Sequence, residues 1–373
     1  MKTINHSQLK KLIRRHYEQK IPFMIYGCFG IGKSEVIKKT AKEIAKDNKK
    51  EFVDWNYISD LEKRTLIGNT KGKFIFADER ISQQEPSDIK GIPFFTDGFT
   101  EWKVPLLYKV MSEPEADGII FFDELNVATP MMMNACLQII HDRCIGNVAL
   151  SKNVSIFGAG NRGSIDRAST FEEPYPLKDR KSEFELNAPS IDEWTSWGLS
   201  NGNDIDSRIL GFLNFKPSRL LNVDFKSKDK SATPRGWHQL SKLIKDVNDE
   251  EILELLTAGR VGEAVSIEFM AFLKLNQKID VKELLENPEK AKEIKEIDLK
   301  YAILSTVTEY FKRHRETKTL TQIIKLCCNI EVEFGVLLMR FVKAVDNQFF
   351  MDNVIKIKEF QEMEKSNSKY FFD

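Results

Sequence analysis

The 373-residue sequence is short of the features that mark several protein classes. Its five cysteines (Cys28, Cys136, Cys144, Cys327 and Cys328) are odd in number and form no C-x-x-C pair, which suits a reducing compartment. The cytoplasm is therefore the expected location. Its five histidines (His6, His16, His141, His238 and His314) fall at no metal-ligand spacing and read as ordinary surface or core residues. Gly and Pro number only 19 and 12 in a chain that is 42% hydrophobic, which excludes collagenous, low-complexity and mostly disordered classes. Charge of one sign is not in excess: 56 Lys and Arg face 56 Asp and Glu, which argues against a polybasic coat for nucleic acid or a membrane-surface role, though not against a local basic patch. Apolar runs are short, the longest being Gly118 to Phe122 and Val336 to Met339, against the ~20 residues that span a bilayer. The first twenty residues mix charge with Leu9, Leu12 and Ile13 and lack an apolar h-region, so they read as an amphipathic helix and not a signal peptide.

What is present is a soluble globular chain with room for two to three units at ~150 residues each. Ile21 to Tyr26 is a short apolar run ending in glycines, the pattern of a strand buried on both faces. Val36, Ile37, Thr40, Ala41, Ile44 and Ala45 follow at helical spacing. Residues 47 to 73 lack one clear period and read as an insertion, with a short apolar stretch at Phe52 to Ile58 and a charged helix at Asp60 to Ile67. Phe74 to Ile81, Gly118 to Phe122 and Val154 to Gly158 are further strands. Ile92 to Val104 reads as a hairpin turning at Asp97-Gly98. Thr129-Pro130 and Thr233-Pro234 each pair an N-cap with a proline in the first helical position. Strands alternating with helices predict a parallel α/β sheet of five strands covered on both faces, and after about Pro189 only helical periodicity remains. The polar tail from about Ser366 reads as frayed.

The chemistry starts at Gly27-Cys28-Phe29-Gly30-Ile31-Gly32-Lys33-Ser34, which fits G-x-x-x-x-G-K-[ST] and runs on into Glu35. Such a loop needs glycine because its N–H groups must curl around phosphate oxygens. The helix that follows favours negative charge at its N-terminus, Lys33 reaches the β and γ phosphates, and Ser34 offers a hydroxyl to Mg²⁺. By average composition the four fixed positions coincide by chance in roughly one chain per hundred of this length. Asp123-Glu124, at the end of an apolar strand, supplies the complement: an aspartate for the Mg²⁺ shell and a glutamate to orient and deprotonate water. Asn161, on the turn after the next strand, can position the same water.

The segments Gly118 to Asn126, Gly158-Ala-Gly-Asn-Arg162 and Ala232-Thr-Pro-Arg-Gly-Trp237 resemble the MoxR branch of the AAA+ ATPases, especially the MoxR-like ATPases of bacteria and their phages. Phe74 to Ile81 with Pro86 to Pro93 resembles that branch's second strand and the loop after it. The resemblance covers roughly residues 20 to 275. It implies an ATP-binding α/β domain over 1–189 with an insertion in helix 2, a helical lid over 190–275, and a helical extension over 276–373. It implies that Asn161 is sensor 1, that Arg235 is sensor 2 on the bound nucleotide, and that Arg180 holds the arginine-finger position. Lys181 follows Arg180 where the branch usually has Phe, so Arg143 and Arg167 stay open as alternatives. The hairpin with Phe94, Phe95, Phe99 and Trp102 corresponds to the helix-2 insertion, as a contact for substrate or adaptor or as a packed hairpin.

The expected function is ATP hydrolysis, with Mg²⁺, by a ring-forming assembly of this chain, implied to be a hexamer. Hydrolysis is coupled to remodelling or assembly of a protein partner, which in this family is often a von Willebrand factor A domain protein. Rival readings are a nucleotide-gated scaffold with little hydrolysis, and a P-loop kinase or DNA-associated motor. Zero net charge argues against nucleic acid.

Overall fold

The computed structural model describes residues 1–166, 170–171, 175–200, 202–224 and 229–366; the end of the tail expected beyond Ser366 lies outside the described residues. The chain divides into two compact units, Met1–Ala188 and Pro189–Asp373.

The first unit is built on the strands β1 (Lys2–Ile4), β2 (Phe23–Tyr26), β3 (Glu51–Asp54), β4 (Lys73–Arg80), β5 (Ile92–Thr96), β6 (Phe99–Lys103), β7 (Asp117–Asp123), β8 (Cys144–Ile145), β9 (Val148–Ala149), β10 (Asn153–Gly160) and β11 (Ser182–Leu186). Seven of them form one sheet in the order β1-β11-β2-β10-β7-β4-β3, and every pairing in it is parallel. The central strands read as apolar runs because helices cover both of their faces. Phe23, Phe74, Phe121 and Phe157 are fully enclosed, and the Phe23 and Phe157 rings lie 4.4 Å apart between centroids.

The sheet has seven strands where five were expected. β1 is a three-residue edge strand ahead of the amphipathic helix α1 (His6–Gln19), too short to show a period. β3 falls in the stretch read as an insertion. β11, Ser-Glu-Phe-Glu-Leu, alternates glutamates with apolar residues and so carries no buried-strand signature, yet it lies inside the sheet between β1 and β2.

Helix α2 (Lys33–Asp47) follows β2 directly, and Ile37, Ala41, Ile44 and Ala45 make its buried stripe. Thr129 caps the helix Pro130–Asp142, with the proline in its first turn as expected. β5 and β6 form the hairpin, with Asp97 at φ 50° and Gly98 at φ 83°, the paired positive φ of a two-residue turn that matches strand twist. Its aromatics are not packed away: Phe95 is 74% and Phe99 75% exposed.

The second unit is helical throughout its described elements. Thr233 accepts a hydrogen bond from Gly236 N at 3.0 Å and starts the helix Pro234–Leu243. Trp237 on that helix is fully buried; its indole N–H is satisfied by Arg219 O at 2.8 Å. Phe212 touches the rings of Trp237, Phe269 and Phe272. One hydrophobic cluster runs from Trp194 to Ile357, so residues on both sides of position 275 share a core. Cys327 belongs to it, whereas its neighbour Cys328 is exposed.

Candidate functional site

Strand register places the chemistry. Tyr26 at the end of β2 pairs with Gly160 at the end of β10, so the loop starting at Gly27 and the residue Asn161 leave the sheet side by side. Gly158 of β10 pairs with Phe122 of β7, which brings Asp123 and Glu124 to the same carboxyl edge. Arg80 of β4 pairs with Asp123, so the turn after β4 runs past Glu124. The chain leaves β2 toward one side of the sheet, while β11, later in the chain, fills the other side together with β1, which precedes β2. The strand order thus reverses at β2, where open α/β sheets form a crevice beyond the strand ends.

The loop Gly27 to Gly32 enters α2 through Gly32 at φ 95°, a left-handed backbone that favours glycine. No side chain caps this helix end, so its leading N–H groups face the loop. Lys33 is buried, and its ammonium donates to Gly27 O at 2.7 Å and Cys28 O at 3.0 Å. It also reaches Asn161 Oδ1 at 3.4 Å, which joins the loop to the end of β10. Ser34 Oγ donates to Asp123 Oδ2 at 2.8 Å. Lys33, Ser34, Asp123 and Asn161 are therefore brought together. Glu35 is exposed in the first turn of α2. Phe29 is 38% exposed, whereas Cys28 and Ile31 are buried. Burial first, then the charge of Asp166, pushes the Cys28 thiol up, away from the reactive thiolate.

Glu124 sits next to Asp123 in the left-handed region at φ 57°. Its N–H donates to Asp123 Oδ1 at 3.0 Å, and its own Oε2 accepts from Ser82 Oγ at 2.7 Å. Asn126, 7% exposed, clamps Asn161 from both sides: its Nδ2 donates to Asn161 O at 2.7 Å, and its Oδ1 accepts from Asn161 N at 3.0 Å. The approach is so close that a Cβ at Gly160 would lie 2.5 Å from Asn126 Oδ1. Ser82, and the clamping role of Asn126, were missed in the sequence. Neither type has a distinctive motif, and their roles depend on register. Asp78 on β4 was also missed; burial, with the nearby charge of Asp123 second, pushes its carboxyl up to about 6.

The arginines separate clearly. Arg162, after Asn161, pairs with the buried Asp166 at 2.7 Å and with Glu185 at 3.5 Å. Arg143 caps the helix Pro130–Asp142 and donates to Ser151 O and Val154 O, at the amino end of β10, opposite the phosphate loop. Arg180 is exposed, just past the helix Tyr175–Asp179, and among the described residues it has no hydrogen-bond or ion-pair partner. Arg235 is likewise exposed, in the first turn of its helix in the second unit. Arg167 lies outside the described residues. Among the described residues no group of three or more His, Cys, Asp or Glu could hold a metal ion, and no helix is long and apolar enough to cross a membrane.

Residues 2–79, which contain the phosphate loop, α2 and the strands around them, match the sequence model of the KAP family P-loop domain. No curated protein matches the sequence. Among solved structures, NtrX from Brucella abortus in complex with ATP aligns at 17% identity over 68% of this chain and 53% of that chain, with a TM-score of 0.35. The chain thus spans about half the length of that protein. The Thermotoga maritima RuvB Holliday junction branch migration motor aligns at 14% identity over 76% of this chain and 75% of that chain, with a TM-score of 0.31. The amino-terminal unit has the α/β P-loop NTPase fold, with its phosphate loop between β2 and α2 on a parallel sheet, and is followed by a helical unit.

Proposed function

We propose that this chain is a MoxR-like AAA+ ATPase that hydrolyses ATP in a ring, a hexamer by family resemblance, and uses the energy to remodel or assemble a protein partner. The observation that carries the hydrolytic part is the convergence of Lys33, Ser34, Asp123, Glu124 and Asn161 at one carboxyl edge of the sheet. The KAP match, residues 2–79, ends before most of the segments that carry the MoxR resemblance, so the branch rests on those residues.

Each side chain has a task in this reading. The N–H groups of the loop and of the start of α2 bind the phosphates, and Lys33 exchanges the carbonyls of Gly27 and Cys28 for phosphate oxygens. Ser34 Oγ and Asp123 Oδ2, 2.8 Å apart, are hard oxygens that fit Mg²⁺, an ion that needs only one or two protein ligands beside water and phosphate. The ion, when bound, neutralises phosphate charge. Glu124 takes the proton of the attacking water, with one carboxylate oxygen fixed by Ser82. Asn161 orients that water. Arg180, exposed and unengaged among the described residues, is suited to reach a neighbouring subunit's phosphate, and Arg235, exposed in the first turn of its helix, takes the sensor-2 role that the family resemblance implies. The exposed aromatics of the hairpin suit contact with a protein partner, such as one with a von Willebrand factor A domain.

Phosphate release with and without DNA tests this reading against its rivals. The proposal expects turnover that DNA leaves unchanged; DNA stimulation supports a motor, and ATP binding without turnover supports a scaffold. A tenfold preference for GTP would overturn the choice of ATP.

A further inference from the structure

The phosphate loop can turn its N–H groups toward an anion only if its carbonyls find donors elsewhere, because buried backbone acceptors are rarely left unpaired. The structure gives the partners of four of them. Gly27 O and Cys28 O accept from the Lys33 ammonium. Gly32 O accepts from Val36 N at 3.0 Å, inside α2. Ile31 O is bonded to the ring Nε2 of His6 at 2.9 Å, across 25 positions of sequence.

We propose that His6 is a positioning residue for the phosphate loop, fixing the peptide between Ile31 and Gly32 so that the Gly32 N–H points to the phosphate side. A carbonyl oxygen can only accept, so the hydrogen lies on Nε2. In a trans peptide the C=O and the next N–H point in opposite directions. Holding the Ile31 carbonyl toward α1 therefore turns the Gly32 N–H away from α1, and that N–H opens the helix end that faces the loop. The other ring nitrogen, Nδ1, is enclosed and has no partner among the described residues, so among them the ring's one polar anchor is the loop itself.

The local fold delivers His6 to this point. β1 pairs with β11 through Ile4 and Leu186. Asn5 then caps α1, with a reciprocal bond to Gln8, and makes His6 the first residue of the helix. A Cβ on Gly32 would lie 3.8 Å from His6 Nε2, so the ring also packs against the point where the loop becomes α2. His6 touches no reacting atom.

The proposal rests on the nucleotide-binding reading, and its test separates the two. His6→Ala, His6→Phe and His6→Gln are compared with the full-length wild type in three measurements: titration with a fluorescent ATP analogue and Mg²⁺, turnover, and hydrogen exchange without nucleotide. His6→Phe keeps the ring's bulk without a donor; His6→Gln keeps an N–H donor. Loss of one organising hydrogen bond predicts about three- to tenfold weaker ATP binding for His6→Ala and His6→Phe. Their rate at saturating ATP stays within about twofold of wild type, and His6→Gln recovers most of the affinity. Exchange accelerates in residues 27–36 and not in residues 117–123. Wild-type affinity and wild-type exchange in His6→Phe, or a His6→Gln protein as weak as His6→Phe, would overturn the proposal. A wild type that binds no nucleotide would overturn the functional reading instead, and the exchange comparison would still decide whether His6 orders the loop.

Discussion

Replacing Asn126 with alanine is expected to damage catalysis through a residue it never substitutes. The Asn126 carboxamide makes two hydrogen bonds to the backbone of Asn161, at 2.7 and 3.0 Å, and is nearly enclosed. Each net hydrogen bond is worth about 1 kcal/mol, so the clamp holds Asn161 in place with about 2 kcal/mol. If that energy is lost only when Asn161 must meet the attacking water, the rate falls about thirtyfold, at about 1.4 kcal/mol per factor of ten. Water filling part of the gap lowers the loss to about tenfold. ATP affinity should change less than about threefold, since among the described residues the Asn126 side chain bonds only to Asn161. Asn126→Asp should not rescue, because it keeps the acceptor for Asn161 N but sets a carboxylate oxygen against Asn161 O. Steady-state phosphate release and ATP titration measure the two quantities. The decisive comparison is a cycle with Asn161→Ala: if Asn126 acts through Asn161, the double variant is no slower than Asn161→Ala alone. Independent, multiplying losses, or an Asn126→Ala enzyme at full rate, would refute the reasoning.

Arg180→Ala should bind ATP normally yet hydrolyse it slowly, since an arginine supplied in trans typically adds ~10³ to 10⁵ in rate. Mixing it with Lys33→Ala should restore some activity, and wild-type specific activity should rise with protein concentration; a concentration-independent monomer would remove Arg180 from the site. At the opposite end of the sheet the Lys20 ammonium is pulled down to about 8, by burial first, against the attraction of Asp117 3.8 Å away. Unfolded lysine titrates near 10.4, so between about pH 8 and 10 the unfolded chain binds more protons and Lys20 makes stability rise with pH. Urea melts at pH 8 and 9.5 should show that rise reduced in Lys20→Met; an unchanged pH slope would contradict it. Trp237→Ala should cost the second unit about 3 to 5 kcal/mol in the same assay, because the indole is fully buried and bonded to Arg219 O. A loss below about 1 kcal/mol would contradict that packing.

The sequence displayed those parts of the site that have a local signature. Gly27 to Ser34 announces itself because the loop's conformation restricts residue type, and Asp123-Glu124 because it ends a run that can only be a buried strand. Asn161 was legible for the same reason, as the residue at which the β10 run stops. Ser82, Asn126 and His6 were not legible as site residues. Each acts across strand register or over tens of positions, and a lone serine, asparagine or histidine has no pattern of its own. β11 escaped because Glu183 and Glu185 break its apolar run, although it borders β2, the strand that leads into the phosphate loop. The helical unit showed one of its caps at Thr233-Pro234, whereas its core comes from helices far apart in sequence, whose pairing no local period encodes.

The claim that Lys33, Ser34, Asp123, Glu124 and Asn161 form an ATP-hydrolysing centre is tested most directly by measuring ATP binding and phosphate release in Glu124→Gln. The account predicts a protein that binds ATP as tightly as wild type but hydrolyses it at least ~100-fold more slowly, the usual scale for losing a general base. Full turnover by Glu124→Gln would contradict it.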